Sequence, residues 1–201
     1  MIKNIIFDFG NVLGWTLADY TTKTYVFDEE ERKLIREVVF DPLDWDKLNR
    51  GAMTDEEMLQ KICNQLPERL WEDACTVYNN WTNTATPVPG MAHLVRELKQ
   101  KGYRMYLLSN ATMTFAKKYR DIPWMVSILE QFDGLVFSAE VGMAKPDPEI
   151  YEYVLKTYQL NACETIFVDD YKENVEAAKK VGIAGYVFDQ NAEKLRKHLG
   201  L

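Results

Sequence analysis

Histidine and cysteine are scarce in this chain: two histidines, His93 and His198, and three cysteines, Cys63, Cys75 and Cys163, among 201 residues. An odd number of widely separated thiols argues against both a disulfide framework and a zinc site. The cysteines are expected to be reduced packing residues, and the histidines, both in helical stretches, receive no catalytic role. No run approaches the roughly 18 apolar residues of a membrane span. The opening MIKNIIFDFGNVLGW is interrupted by Asp8 and lacks a separate charged leader and a small-residue cleavage site, so no secretory signal is expected and the cytoplasm is the default location. There is no run of Lys or Arg, and the formal charge is −7, so the electrostatic footprint of nucleic-acid or anionic-membrane binding is missing. Positive charge used on an anionic substrate must therefore be local. Internal repeats and low-complexity segments are also absent.

What is present is an ordinary globular composition, 47% hydrophobic and 27% charged, enough for one domain or one domain with an insert. Five short apolar runs read as strands: Ile2–Phe7, Arg104–Leu108, Gly134–Phe137, Thr165–Val168 and Ala184–Phe188. From Pro89 onward they alternate with helical patterns over Met91–Lys101, Thr112–Tyr119, Pro148–Thr157, Tyr171–Val181 and Ala192–Leu199. Such alternation predicts βαβ units, hence an α/β fold with a Rossmann-like parallel sheet flanked by helices. Between Trp15 and about Pro87 the alternation stops. Val26–Phe40, Thr54–Gln65 and Glu68–Trp81 read as helices there, the second opened by the capping-box pair Thr54 and Glu57. The expected organisation is core (1–15), a small all-helical cap inserted after the first strand (16–86), and core again (87–201).

Strands of a parallel sheet point one way, so the residues just past them gather along one edge, where open α/β folds bind ligands. Four such positions carry polar chemistry. Asp8 stands at the tip of the first strand, where a fixed and exposed carboxylate could act as a nucleophile or merely satisfy turn amides. Ser109 and Asn110 follow the second strand, before a helix, and could donate to a phosphate oxygen or serve as plain caps. Lys145 lies in VGMAKPDPEIY, where Pro146 biases it to an extended backbone and its ammonium could neutralise both phosphate and nucleophile. Asp169 and Asp170 end the strand TIFV; adjacent carboxylates repel unless a cation compensates, so with Asp8 they point to Mg²⁺. One of the pair could instead cap the helix that follows.

The stretches IIFDFGNVL, YLLSN, VGMAKPDPEIY and IFVDDYKENVEAA, in this order, resemble the haloacid dehalogenase-like hydrolase superfamily. The resemblance implies Asp8 as nucleophile, Ser109 as phosphate ligand and Lys145 as the charge-neutralising lysine. It also implies Asp170 as a direct Mg²⁺ ligand beside Asp8 and the Gly10 carbonyl, with Asp169 and Asn174 in support. Asn11 joins Ser109, Asn110 and Lys145 in the expected phosphate-binding set. Most phosphatases of the family carry a second Asp two residues after the nucleophile as general acid/base; here that position is Gly10. The Gly-Asn pair is similar to that of a bacterial subgroup that includes sugar-1-phosphate phosphatases.

The expected activity is a Mg²⁺-dependent phosphatase acting on a small phosphorylated metabolite through an aspartyl-phosphate, in a monomer or homodimer. A 2-haloacid dehalogenase and a catalytically weak binding or regulatory protein of the same fold are the alternatives. Trp15 and the cap segment DWDKLNRG, with Trp45 and Arg50, are the expected candidates for substrate contact.

Overall fold

A computed structural model describes all 201 residues, Met1–Leu201. In chain order, β1 (Asn4–Phe7) and β2 (Gly14–Trp15) precede five helices: α1 (Ala18–Tyr25), α2 (Glu29–Val39), α3 (Pro42–Asn49), α4 (Asp55–Gln65) and α5 (Trp71–Asn80). β3 (Thr86–Pro87), α6 (Met91–Gln100), β4 (Arg104–Ser109), α7 (Met113–Lys118), α8 (Pro123–Leu129) and β5 (Gly134–Phe137) follow. The chain closes with α9 (Ser138–Val141), α10 (Pro148–Thr157), β6 (Thr165–Asp169), α11 (Lys172–Lys180), β7 (Ala184–Val187) and α12 (Ala192–His198). No helix is long and apolar enough to cross a membrane.

Side-chain alternation along the strands decides the layering. Ile5 and Phe7 of β1, with Met105, Leu107, Ile166 and Val168, pack against Leu94 and Leu98 of α6, Ile128 of α8 and Leu195 of α12. Ile6, Tyr106, Leu108 and Phe167 point the other way, onto Ile150 and Val154 of α10 and Ala178 of α11. Both faces of the sheet are thus covered, which accounts for the nearly continuous apolar runs of the strands.

The sheet is parallel, in the order β5-β4-β1-β6-β7. Phe7 is level with Leu107 and Val168, so Asp8 and Asp169 emerge together and Ser109 stands one residue beyond. The order turns back at β1, and such a switch point is where open α/β sheets place their ligands.

The helices α1–α5 enclose a separate core of Ile35, Val39, Leu48, Met58, Ile62, Ala74 and Val77. Thr54 and Glu57 form the predicted capping box at α4. A two-residue antiparallel pair, β2 with β3, ties the ends of this segment together. An aromatic stack joins it to α7: Phe40 stacks on Trp45, which meets Trp81 edge-on, and Trp81 stacks on Phe115.

Several expectations need correction here. Val26 is not helical; α2 begins at Glu29, where the Asp28 carboxylate caps the Glu31 N–H at 2.9 Å. The Glu68–Trp81 helix opens as a 3-10 turn over Glu68–Leu70. The helices α1, α3, α8 and α9 and the β2/β3 pair were not expected. Trp15 packs against the core. Trp45 donates its indole N–H to the Val39 carbonyl at 2.7 Å and is held between Phe40 and Trp81, so neither tryptophan faces the site.

Candidate active site

Asp8 leaves β1 with its N–H on the Val168 carbonyl at 2.9 Å. The turn after it is tight: the Phe9 carbonyl accepts from Val12, Leu13 and Gly14, and Asn11 sits at φ 53°, a left-handed conformation that asparagine tolerates better than most residues. Asp8 is 8% exposed, so this turn presents a nearly buried carboxylate.

One oxygen of that carboxylate, Oδ1, lies 2.7 Å from the Lys145 ammonium, which is 2.8 Å from Asp169 Oδ2. Lys145 is buried and rests over the Phe167 ring at 5.4 Å. The Asn110 amide fixes its backbone: Asn110 Oδ1 accepts from the Lys145 N–H and Asn110 Nδ2 donates to the Lys145 carbonyl, each at 2.9 Å. The Asn110 side chain, expected on phosphate, is therefore occupied in holding the lysine loop. Only its main chain is left for an anion.

Asp169 is fully buried and saturated. Its oxygens accept from Lys145, from the Tyr171 N–H at 2.7 Å and from Asn174 Nδ2 at 3.1 Å. Asp169 is thus held in the turn before α11 without capping the helix, whose N-cap, Tyr171, has no side-chain cap, and Asp170 stays available. Asp170 is half-buried and receives only Asn11 Nδ2, at 3.1 Å. The Asn11 side chain points at this carboxylate, away from the expected phosphate role.

Two of the three carboxylates, Asp8 and Asp169, pair with the single ammonium, and Asp170 lies beside them. Burial pushes the Asp8 carboxyl up to about 7, against the pull of Lys145. Burial likewise raises Asp170, partly offset by its hydrogen bond from Asn11. Burial disfavours charge on Lys145, but Asp8 and Asp169 together outweigh it and hold the ammonium above its ordinary value. The surplus negative charge calls for a cation, and one oxygen each from Asp8, Asp169 and Asp170 lies within 4.8 Å of the others.

These groups open on a cleft of about 670 Å³ lined by Asp8, Gly10, Asn11, Asn49, Ser109, Asn110, Lys145, Pro146, Asp170, Tyr171, Glu173 and Asn174. Every catalytic, phosphate-binding or metal-ligand residue expected from the sequence lines it, as does Asn174 but not the deeply buried Asp169; the expected substrate contacts Trp15, Trp45 and Arg50 do not. Missed were Asn49, Pro146, Tyr171 and Glu173. Asn49 lay inside the segment DWDKLNRG, where size and charge drew attention to Trp45 and Arg50 instead. Arg50 in fact pairs with Asp147 at 2.5 Å and with Asp46 at 3.1 Å. A glycine-terminated helix end reaching the sheet edge was the signal for Asn49.

The family profile described as haloacid dehalogenase-like hydrolase matches residues 2–182. Over 183 residues the chain is 33% identical to a sesquiterpene phosphatase of Aspergillus oryzae, covering 91% of this chain and 88% of that protein. It is 27% identical over 208 residues to a D-ribitol-5-phosphate phosphatase of Bacteroides thetaiotaomicron, covering 96% of this chain and 95% of the relative. Among solved structures, a HAD family enzyme of Bacteroides thetaiotaomicron in a magnesium complex superposes with a TM-score of 0.72 at 25% identity, over 99% of this chain and 98% of that one. The chain belongs to the haloacid dehalogenase-like hydrolase family.

Proposed function

We propose that the protein is a Mg²⁺-dependent phosphatase that hydrolyses a small phosphorylated metabolite through an aspartyl-phosphate on Asp8. The observation that carries this reading is the ion-paired arrangement of Asp8, Lys145 and Asp169, with Asp170 beside it, at the floor of a polar cleft. The named relatives, two phosphatases and an enzyme in a magnesium complex, support it.

The donor set fits Mg²⁺. Asp8 and Asp170 have free carboxylate oxygens, Gly10 adds a carbonyl, and a hard ion of this kind takes one or two carboxylates plus waters and phosphate oxygens. Asp169 is already committed and acts by orienting Lys145. When bound, the ion neutralises charge on the phosphoryl oxygens.

Lys145 orients the Asp8 carboxylate through Oδ1, so that this oxygen attacks while the other, Oδ2, is left for the ion. Oδ2 faces the open space beside Gly10, where a Cβ would lie 3.8 Å away. Attack on phosphorus forms the aspartyl-phosphate as the ester P–O bond breaks, and water then cleaves the acyl phosphate and restores Asp8. The Ser109 hydroxyl and the Lys145 ammonium face the phosphoryl oxygens. No carboxyl stands at position 10 to protonate the departing oxygen, so esters of more acidic alcohols are favoured, sugar 1-phosphates among them. The helical segment 16–86 acts as a cap whose α3 end, at Asn49, closes one side of the cleft.

A dehalogenase would not use the surplus carboxylates at Asp169 and Asp170, and a pure binding protein would have no need of a fixed nucleophile. The test is hydrolysis of a panel of phosphorylated metabolites with Mg²⁺ and with chelator. Mg²⁺-dependent release of phosphate is expected; no hydrolysis of any ester with Mg²⁺ present refutes the reading.

A further inference from the structure

Most polar side chains of the cleft are already engaged. Asn11 is bound to Asp170, Asn110 to the Lys145 backbone, Asn174 to Asp169, and Asp8 to Lys145. Ser109 stands at the phosphate end. Besides Ser109, three lining side chains remain without a hydrogen-bond or ion-pair partner in the protein: Asn49, from the end of α3, Glu173, from the first turn of α11, and Tyr171 just before it, which is 63% exposed.

Asn49 is held firmly although its side chain is free. Its carbonyl accepts from Ser138 Oγ, and the next residue, Arg50, pairs with Asp147 at 2.5 Å. Gly51, at φ 66°, passes so close to the sheet edge that a Cβ would lie 2.8 Å from the Ala139 carbonyl oxygen. A free amide on a fixed backbone is a recognition group with little ordering left to lose.

We propose that Asn49 and Glu173 are the specificity-determining pair of the cleft and select a neutral, polyhydroxylated leaving group, a sugar or polyol, over an apolar or an anionic one. The inference rests on the phosphatase reading. The Glu173 carboxylate accepts hydrogen bonds from hydroxyls, and the Asn49 amide both donates and accepts. The rings of Pro146 and Tyr171 are the ring faces of the lining, and a long hydrocarbon laid against them leaves the Asn49 and Glu173 groups unpaired. A second phosphate or carboxylate on the substrate meets Glu173 as a like charge.

The test compares kcat/KM for glucose 1-phosphate, glucose 1,6-bisphosphate, farnesyl phosphate and p-nitrophenyl phosphate, with Mg²⁺. The substrates are run on wild type, Glu173→Gln and the double variant Asn49→Leu/Glu173→Leu. Ratios taken between variants cancel the intrinsic reactivity of each leaving group. In the double variant the ratio of glucose 1-phosphate to p-nitrophenyl phosphate is expected to fall about tenfold or more, mainly through KM, as expected for losing hydrogen bonds that include one to a charged group. The ratio to farnesyl phosphate should fall with it. Glu173→Gln should narrow the preference for the monophosphate over the bisphosphate. Ratios that stay at their wild-type values while p-nitrophenyl phosphate is turned over overturn this inference alone. Absence of turnover on every ester overturns the phosphatase reading, and this one with it.

Discussion

Restoring a carboxyl at position 10 should change which esters the protein hydrolyses, because the missing general acid costs most where the departing alcohol is weakest. General acid catalysis contributes roughly 10²–10⁴ in rate, about 3–5 kcal/mol of barrier. The site has room for the change. A Cβ on Gly10 would have Asp8 Oδ2 as its nearest neighbour, at 3.8 Å, an ordinary contact, and Gly10 is not among the positive-φ glycines. Gly10→Asp therefore brings a carboxyl within side-chain reach of an ester seated on Asp8, without backbone strain. The measurement is kcat/KM for glucose 1-phosphate and glucose 6-phosphate in wild type and Gly10→Asp. Wild type should favour the 1-phosphate, whose ring oxygen makes the departing hydroxyl more acidic, and the variant should raise the 6-phosphate rate at least about tenfold relative to the 1-phosphate. Equal or reversed preference in wild type refutes the leaving-group argument. A folded variant with no gain on the 6-phosphate refutes position 10 as the place of the missing acid.

Other consequences are more direct. Because the folded Asp8 carboxyl titrates near 7 and an unfolded one near about 4, the fold favours the protonated form. Metal-free protein should therefore lose stability as pH rises through this window, by up to about 1.4 kcal/mol per pH unit. Thermal melts of wild type and Asp8→Asn isolate that share, and saturating Mg²⁺ should flatten the trend; a pH profile unchanged by Asp8→Asn contradicts it. Lys145→Met leaves Asp8 and Asp169 facing each other in the interior and should cost about 3–5 kcal/mol in urea unfolding at pH 8, together with activity; a loss under 1 kcal/mol (roughly the net worth of one ordinary hydrogen bond) would mean the pair is solvated. Asp170→Ala should abolish Mg²⁺ binding by calorimetry and Mg²⁺-dependent turnover together. Unchanged affinity would put the ion elsewhere.

The candidate constellation was legible because parallel strands deliver it: Asp8, Ser109 and Asp169 stand at strand ends whose apolar runs are unmistakable, and Lys145 sits in a proline-stiffened loop. Gly134–Phe137 and Pro148–Thr157 have the bounds their patterns predicted. The helical insert was less readable. In α1, ADYTTKTY buries only Thr21 and Thr22, so no apolar stripe betrays it. Along α3 the buried residues are Leu48 and Asp44, the latter charged and neutralised by Lys61 and Lys47, which breaks the hydrophobic period. The α8 segment, PWMVSIL, is apolar nearly throughout and carries no helical face. At the site, composition could not show that the Asn110 and Asn11 side chains serve Lys145 and Asp170, since that depends on which loops the sheet brings together. Nor could it rank Asn49 above Trp45, because only the path of α3 decides which of them meets the cleft and which the aromatic stack.

The most direct test of the central claim is to catch the phosphoryl group on Asp8. Wild-type protein mixed with Mg²⁺ and glucose 1-phosphate, quenched in acid within the first turnover and digested at low pH, should yield a phosphorylated peptide containing Asp8. The label should vanish on treatment with hydroxylamine, as an acyl phosphate must, and should not form in Asp8→Asn. Rapid turnover with no acid-stable phosphopeptide, or a phosphoryl group on any residue other than Asp8, contradicts the account.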